Sequence, residues 1–271
     1  MLFKQFDLTE KTAVVIGGGR GIGKAIALTL AEAGGDIVVA ARSNQEIRQT
    51  VEEIERLGRK GIAVCADATK AEDLTNVIST AISEWEKIDI LVNSAGVGIR
   101  KPIVSPAEYK PAWAEEKGVL FSPASEEDWG TTLNTNVTSI FLATRAVGPH
   151  MIRQRKGKII NISSFMASKS FAYQALYSTS KAAVNMYTRA LALEWARYNI
   201  NVNAIAPGYV HTQMTSIYFD DDAVREKIVK SIPLGRLCQP REVALLAVYL
   251  ASEASDYITG QTIYIDGGLL A

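Results

Sequence analysis

The chain has 271 residues, with 29 basic against 29 acidic side chains, a formal net charge of zero and a pI near 6.8. That balance removes the general electrostatic pull toward nucleic acid or an anionic membrane and leaves room only for a local basic site. At 48% hydrophobic and 21% charged, the composition is globular, and a chain this long buries roughly three quarters of its unfolded surface without help from a disulfide or a metal.

The opening residues, Met1 to Asp7, lack the apolar core of a signal peptide. Short β-branched runs then alternate with helix-like segments. The expected strands are Thr12 to Ile16, Ile37 to Ala41, Ile62 to Ala66, Ile88 to Asn93, Lys158 to Ile162, Asn201 to Ala206 and Thr262 to Ile265. Each is almost continuously apolar, as strands covered on both faces are. Between them, residues 23–33 stop at Gly34-Gly35, and residues 43–57 start at Ser43 and stop before Gly58. Residues 71–86, 126–153, 173–198 and 239–252 read as helices in the same way. Strand, helix, strand repeated this often predicts an α/β fold: a doubly wound, Rossmann-type parallel sheet of about seven strands with helices on both faces. No linker divides the chain, which reads as one domain over residues 1–271.

The late apolar run Val243 to Ala251 is far shorter than the ~20 residues a membrane-spanning helix needs. Two cysteines, Cys65 and Cys238, and two histidines, His150 and His211, do not make a zinc cluster of the usual spacing, so no metal is expected. The default compartment is the cytoplasm. One stretch breaks the rhythm. Residues 97–125 hold Pro102, Pro106, Pro111 and Pro123, and a structureless link of this length is either a binding loop near the substrate pocket or a surface insertion.

Gly17-Gly-Gly-Arg-Gly-Ile-Gly23 follows the first strand and opens a helix. Glycines allow a tight turn and close approach to a pyrophosphate, and the helix N-terminus offers unpaired N–H groups at the positive end of its dipole. The spacing is Gly-x-x-x-Gly-x-Gly, and by itself it is a weak signal. Further on, Tyr177 and Lys181 stand four apart on an expected helix and so share a face. A free tyrosine has a pKa of about 10, and a neighbouring ammonium lowers it toward working pH, which makes the phenol an acid–base catalyst. Ser164, thirteen residues before Tyr177, ends the fifth strand, where its hydroxyl can stabilise charge developing on a substrate oxygen.

Gly17-x-x-x-Gly21-Ile22-Gly23, Asn93-Ser-Ala-Gly96, Ser164, Tyr177-Ser-Thr-Ser-Lys181 and Pro207-Gly208 stand in the order and spacing of the short-chain dehydrogenase/reductase family, which the chain resembles from about residue 6 to residue 268. Two positions depart from the family pattern. Ile16 replaces a usual Thr, and Ser94 replaces a usual second Asn that helps tie the strand ends together. The resemblance implies hydride transfer between a nicotinamide and a secondary alcohol or ketone, with Asn136, Ser164, Tyr177 and Lys181 as the catalytic set. In it Asn136 holds a water for a proton relay behind Lys181, and Lys181 also holds the nicotinamide ribose.

The cofactor contacts implied are Gly17, Gly19, Arg20, Gly21, Ile22 and Gly23 at the glycine loop. Arg42 and Ser43 follow the second strand, Asp67 and Ala68 the third. Asn93, Ala95 and Gly96 follow the fourth, and Pro207, Gly208, Val210 and Thr212 the sixth. Relatives that prefer NAD carry an acid where this chain has Ala41, which points to NADP(H) with NAD(H) as the lesser partner. Arg42 is either a bidentate ligand for the extra phosphate or a solvated strand exit. Asp36 lies at the wrong end of its strand to meet the ribose.

The substrate is expected among the loops after strands four, five and six. These supply Gly98, Arg100 and Lys101, then Ser164, Phe165 and Met166, then Tyr177, Tyr209 and the segment 213–231. Arg100-Lys101 is either an anion site or an exposed basic pair. The two chain ends resemble the gluconate 5-dehydrogenase type, and the 3-oxoacyl-carrier-protein reductases are nearly as similar. The expected partner is therefore a small sugar-derived, polyol or hydroxy/keto substrate. A 3-oxoacyl thioester is the alternative, and a non-catalytic NADP-sensing protein is the reading from another class. Family members are usually tetramers. Val243 to Ala251, Tyr264 and Leu269-Leu270 suit a subunit interface and equally suit a core.

Overall fold

A computed structural model of the chain describes residues 3–104, 122–213, 215–216 and 221–271. Most of the proline-rich stretch, including Pro106 and Pro111, lies outside the described residues, as do residues 214 and 217–220 of the segment expected to face the substrate.

Seven parallel strands form one sheet in the order β3-β2-β1-β4-β5-β6-β7. They are β1 (Thr12–Ile16), β2 (Asp36–Ala41), β3 (Gly61–Cys65), β4 (Ile90–Asn93), β5 (Gly157–Ile162), β6 (Ile200–Pro207) and β7 (Thr262–Ile265). All seven expected strands are present, with ends displaced by at most two residues. The helices are α1 (Gly21–Glu32), α2 (Asn44–Arg56), α3 (Ala71–Trp85), α4 (Glu126–Leu133), α5 (Ser139–Gln154), α6 (Ala175–Trp195), α7 (Asp222–Ser231) and α8 (Pro240–Ala251). The expected helix 126–153 is two helices joined by a π-helical turn at Asn134–Thr138, and α7 was not foreseen.

The period-two alternation of each strand divides the core. Ala13, Val15, Ile37 and Val39 face one side, where Ile26 and Leu30 of α1, Ile47 and Ile54 of α2, and Val243 and Ala247 of α8 cover them. Val14, Ile16, Val38 and Leu91 face the other side, under Leu74 and Val77 of α3, Val147 and Met151 of α5, and Leu191 and Trp195 of α6. Most of the run Val243 to Ala251 is therefore core packed on α1, with Leu245 left exposed. Leu269 is also buried, in a smaller cluster with Phe165 and Ile232, whereas Tyr264 remains partly exposed.

Among the described residues no helix is long and apolar enough to cross a membrane, and no three His, Cys, Asp or Glu side chains converge as metal ligands. Strand order reverses between β1 and β4, whose paired ends are Ile16 and Asn93. In open sheets of this kind the crevice outside the carboxyl ends at such a reversal is where ligands bind.

Candidate active site

A cavity of about 890 Å³ occupies that crevice and spans the carboxyl ends of β1 to β6. Gly17, Gly19, Arg20, Gly21, Ile22 and Gly23 form its floor. The floor is shaped by absent side chains. Gly17 has φ +81, and a Cβ there would stand 2.6 Å from Ala95 N; a Cβ on Gly23 would stand 2.1 Å from Gly17 O. Neither position tolerates a side chain, so the backbone turns tightly and α1 begins directly under the cavity. The strand ends are joined without the family Thr and Asn, because Ser94 N–H donates to the Ile16 carbonyl at 2.8 Å.

At one end of the cavity lie Arg42, Ser43, Asp67, Ala68 and Thr69. Asp67 Oδ1 accepts from Thr69 N and Oγ1, at 2.9 and 2.8 Å, and these bonds hold its carboxyl below the usual range. Ser43 caps α2, its Oγ accepting from Glu46 N at 3.3 Å. Arg42 is exposed at the lip. Asp36 is spent at the opposite end of β2, 2.7 Å from Arg59 Nη2.

Ser164, Tyr177 and Lys181 line the other end, together with Ile162, Ser163, Pro207, Gly208, Val210 and Thr212. Ser164 ends β5 in extended backbone and its Oγ accepts from Met166 N at 3.1 Å. The neighbouring Ser163 hydroxyl is turned away, donating to the Lys181 carbonyl. Lys181 is 4% exposed; its Nζ donates to the Ile162 carbonyl at 2.8 Å and lies 5.7 Å from the Tyr177 ring centroid. Burial lowers the Lys181 ammonium to about 8. The expectation for Tyr177 is corrected in this state. Its phenol is pushed up by burial, opposed by the Ser164 hydroxyl, and the lysine does not reverse that direction.

Two expected site residues, Asn136 and Asn93, are buried behind the cavity lining. Asn136 is fully buried within the π-helical turn, and its amide is bonded to the protein. Oδ1 accepts from Val97 N at 2.8 Å, and Nδ2 donates to the Val97 carbonyl and to Ser180 Oγ, both at 2.9 Å. Ser180 in turn donates to the Tyr177 carbonyl at 2.7 Å, so Asn136 fastens the β4 exit to the helix that carries Tyr177. Its Oδ1 keeps a second lone pair with which to accept from a water, and it stands beside Gly96 on the side that Lys181 Nζ also faces. Asn93 does not face the cavity either. It is buried, donating to Asn161 Oδ1 at 2.9 Å, and Asn161 passes the chain on to Thr188. Ala95 and Gly96 do line the wall, and a Cβ on Gly96 would stand 3.6 Å from Lys181 Nζ.

The substrate candidates are scattered. A Cβ on Gly98 would lie 3.9 Å from the Tyr177 ring, so Gly98 is at the catalytic end. Met166 and Tyr209 pack around Phe165 outside the cavity lining, and Arg100 is outside it too. Lys101 is paired, its Nζ 2.7 Å from Asp128 Oδ2, and that bond leads the causes holding the Asp128 carboxyl at about 2. Lys101 is thereby withdrawn from the Arg100-Lys101 anion site. Sequence reasoning missed Thr131, Asn134 and Thr135, which line the cavity from α4 and the turn after it, and also Glu46; Gln213 and Thr215, from the expected segment 213–231, do line it. The first three stand at i, i+3 and i+4, a one-face spacing that was there to be read.

The donor set fits a dinucleotide: a side-chain-free backbone cradle at a helix start, an exposed cation at one lip, and a buried amine beside a phenol at the far end. A family model described as enoyl-(acyl carrier protein) reductase matches residues 17–270. The 2-dehydro-3-deoxy-D-gluconate 5-dehydrogenase of Escherichia coli is 39% identical over 272 residues, covering 100% of both chains. A 3-oxoacyl-acyl-carrier-protein reductase of Synechocystis sp. is 38% identical, covering 97% of this chain and 98% of its own. Among solved structures, a gluconate 5-dehydrogenase from Burkholderia cenocepacia J2315 in complex with NADP and tartrate superposes with a TM-score of 0.87 at 33% identity, covering 99% of this chain and 98% of that one.

Proposed function

The chain belongs to the short-chain dehydrogenase/reductase family of oxidoreductases acting on hydroxyl and carbonyl groups, and from that premise we propose that it is an NADP(H)-preferring dehydrogenase of a sugar-derived hydroxy/keto acid. The observation that carries this reading is one continuous cavity with Ser164, Tyr177 and Lys181 at one end and the exposed Arg42 beyond the glycine floor at the other. The proposed cofactor contacts are those of the floor, with Arg42, Ser43, Asp67 and Ala68 at the adenosine end. Ala95, Gly96, Pro207, Gly208, Val210 and Thr212 serve the nicotinamide end.

A nicotinamide dinucleotide, when bound, supplies or accepts the hydride. The residues of the chain do the rest. The Tyr177 hydroxyl gives its proton to the substrate oxygen during reduction and, as phenolate, removes the alcohol proton during oxidation. Burial keeps the phenol protonated in the cofactor-free state, which is the form that reduction requires. Ser164 donates to the same substrate oxygen and stabilises its developing charge. Lys181 stands ready to hold the ribose and, when charged, to favour the phenolate. Asn136 is a positioning residue for this group.

The name of the Escherichia coli relative supports a gluconate-like substrate, and the Burkholderia structure supports NADP and a site that accepts a small hydroxy acid such as tartrate. The Synechocystis relative supports the second reading, a 3-oxoacyl thioester reductase. A panel of 5-keto sugar acids and one 3-oxoacyl thioester, each run with NADPH and NADH, separates the two. The expected outcome is turnover on the keto acids with NADPH favoured, and with that preference lost in Arg42→Ala. Turnover confined to the thioester would reject the substrate assignment. Self-association as a tetramer and a cytoplasmic location belong to the same reading.

A further inference from the structure

Ser125/Asp128 at α4, Gln239/Glu242 at α8 and Ser43/Glu46 at α2 each set an acid three positions after a polar, uncharged cap residue. In the first two the acid returns to the cap backbone. Asp128 Oδ2 accepts from Ser125 N at 2.9 Å, and Glu242 Oε2 accepts from Gln239 N at 2.8 Å. At α2 that return is missing. Glu46 N–H donates to Ser43 Oγ, but the carboxylate does not return to the cap backbone.

It turns instead over the glycine loop, where Glu46 Oε1 lies 3.5 Å from Arg20 Nη1. The same nitrogen donates to Gln213 Oε1 at 3.2 Å. A Cβ on Gly19 would come within 3.1 Å of Glu46 Cβ, so the acid rests against the cavity floor. Arg20, Glu46 and Gln213 all line the cavity. The loop cation is thus already occupied by an anion of the protein, whereas Arg42 makes no ion pair among the described residues.

Resting on the dinucleotide reading above, we infer that Glu46 is a specificity-determining residue that opposes a 2′-phosphate: it competes for Arg20, so that discrimination between the phosphorylated and unphosphorylated cofactor is set by Arg42 against Glu46. The Arg20–Glu46 pair is largely solvent-facing and therefore weak enough to be displaced by a doubly charged phosphate. Once displaced, the carboxylate has a destination, since the Ser43 N–H completes the capping box it now lacks.

Glu46→Gln keeps the size of the side chain and removes its charge. Wild type and variant are titrated with NADPH and with NADH, without substrate, by nucleotide fluorescence at low salt. The dissociation constant for NADPH is expected to fall about fivefold and that for NADH to move by less than about twofold. Weaker NADPH binding would mean that Glu46 orients Arg20 for the phosphate, and an equal change for both nucleotides would mean a general loop effect; either overturns the inference. In an Arg20→Ala background the same substitution is expected to gain less than about twofold, since no cation remains to be freed. An undiminished gain there would refute competition for Arg20. If wild type bound the two nucleotides equally, the NADP preference proposed above would fail, and the change in ratio caused by Glu46→Gln would still decide this inference.

Discussion

Lys181 is a cost to the fold that the active site requires, and Lys181→Met exposes that cost. The ammonium is buried with one hydrogen bond, to the Ile162 carbonyl at 2.8 Å, and burial takes it from an ordinary 10.5 to about 8. At 1.36 kcal/mol per unit, that shift corresponds to about 3 kcal/mol of native-state destabilisation near pH 7. Methionine fills a similar volume without the charge, and losing the hydrogen bond gives back about 1 kcal/mol. The variant is therefore expected to be about 2 kcal/mol more stable than wild type near pH 7, a rise of about 5 °C in Tm. Between about pH 8 and 10.5 the unfolded lysine binds a proton that the folded one has released, so wild-type stability climbs through that window. The gap between the two proteins should accordingly close as the pH approaches 10. Thermal melts of cofactor-free protein across that range are the assay. A variant less stable than wild type near pH 7, or a gap that does not change with pH, would refute the reasoning.

Asn136→Ala removes three hydrogen bonds from a fully buried turn, and is expected to cost about 3 kcal/mol and about 8 °C in Tm. Asn136→Asp sets a carboxylate oxygen against the Val97 carbonyl in the same buried site, and its melting temperature should be no higher than that of Asn136→Ala. Gly23→Ala would force a methyl group to 2.1 Å from Gly17 O; a loss of about 3 kcal/mol and of nucleotide binding is expected by melting and fluorescence titration. Tyr177→Phe should abolish turnover while leaving the nucleotide dissociation constant within about twofold, measured by the same titration.

The frame of this molecule is written in its strands. Val14, Val15, Val38 and Val39 are apolar on both faces because both faces are covered, and that continuity made the parallel sheet legible. The chemistry was legible where spacing alone decides it, as with Tyr177 and Lys181 one helical turn apart. What could not be read was the direction in which a side chain turns at a strand end. Asn93 ends β4 at the rim of the cavity and yet points to Asn161, a choice set by a residue 68 positions away on β5. Lys101 looked like half of a basic pair until α4 brought Asp128 to it. The π-helical turn at Asn134–Thr138 inserts one residue into an otherwise regular apolar pattern, too small a disturbance to break a predicted helix. Tyr177 was misjudged in its titration because burial is a property of the packed fold, not of the neighbouring residue in sequence. α7 escaped notice because none of its residues is buried, so there was no apolar stripe to reveal it.

The reversal of strand order between β1 and β4 also governs how the molecule is assembled. The cavity wall is drawn from Ile16 at one extreme and Thr215 at the other, and β1 meets β4 only after three crossovers have been completed. No contiguous half of the chain holds the floor and the catalytic group together, so a partly folded chain has nothing with which to grip a dinucleotide. Pairings this distant in sequence form slowly and late. Nucleotide at a hundred times its dissociation constant then adds about 2.7 kcal/mol to the finished sheet alone and nothing to its precursors. Binding thus acts as an inspection of completed folding, and protection from proteolysis should arrive at β2 and β6 together rather than spreading outward from the glycine loop.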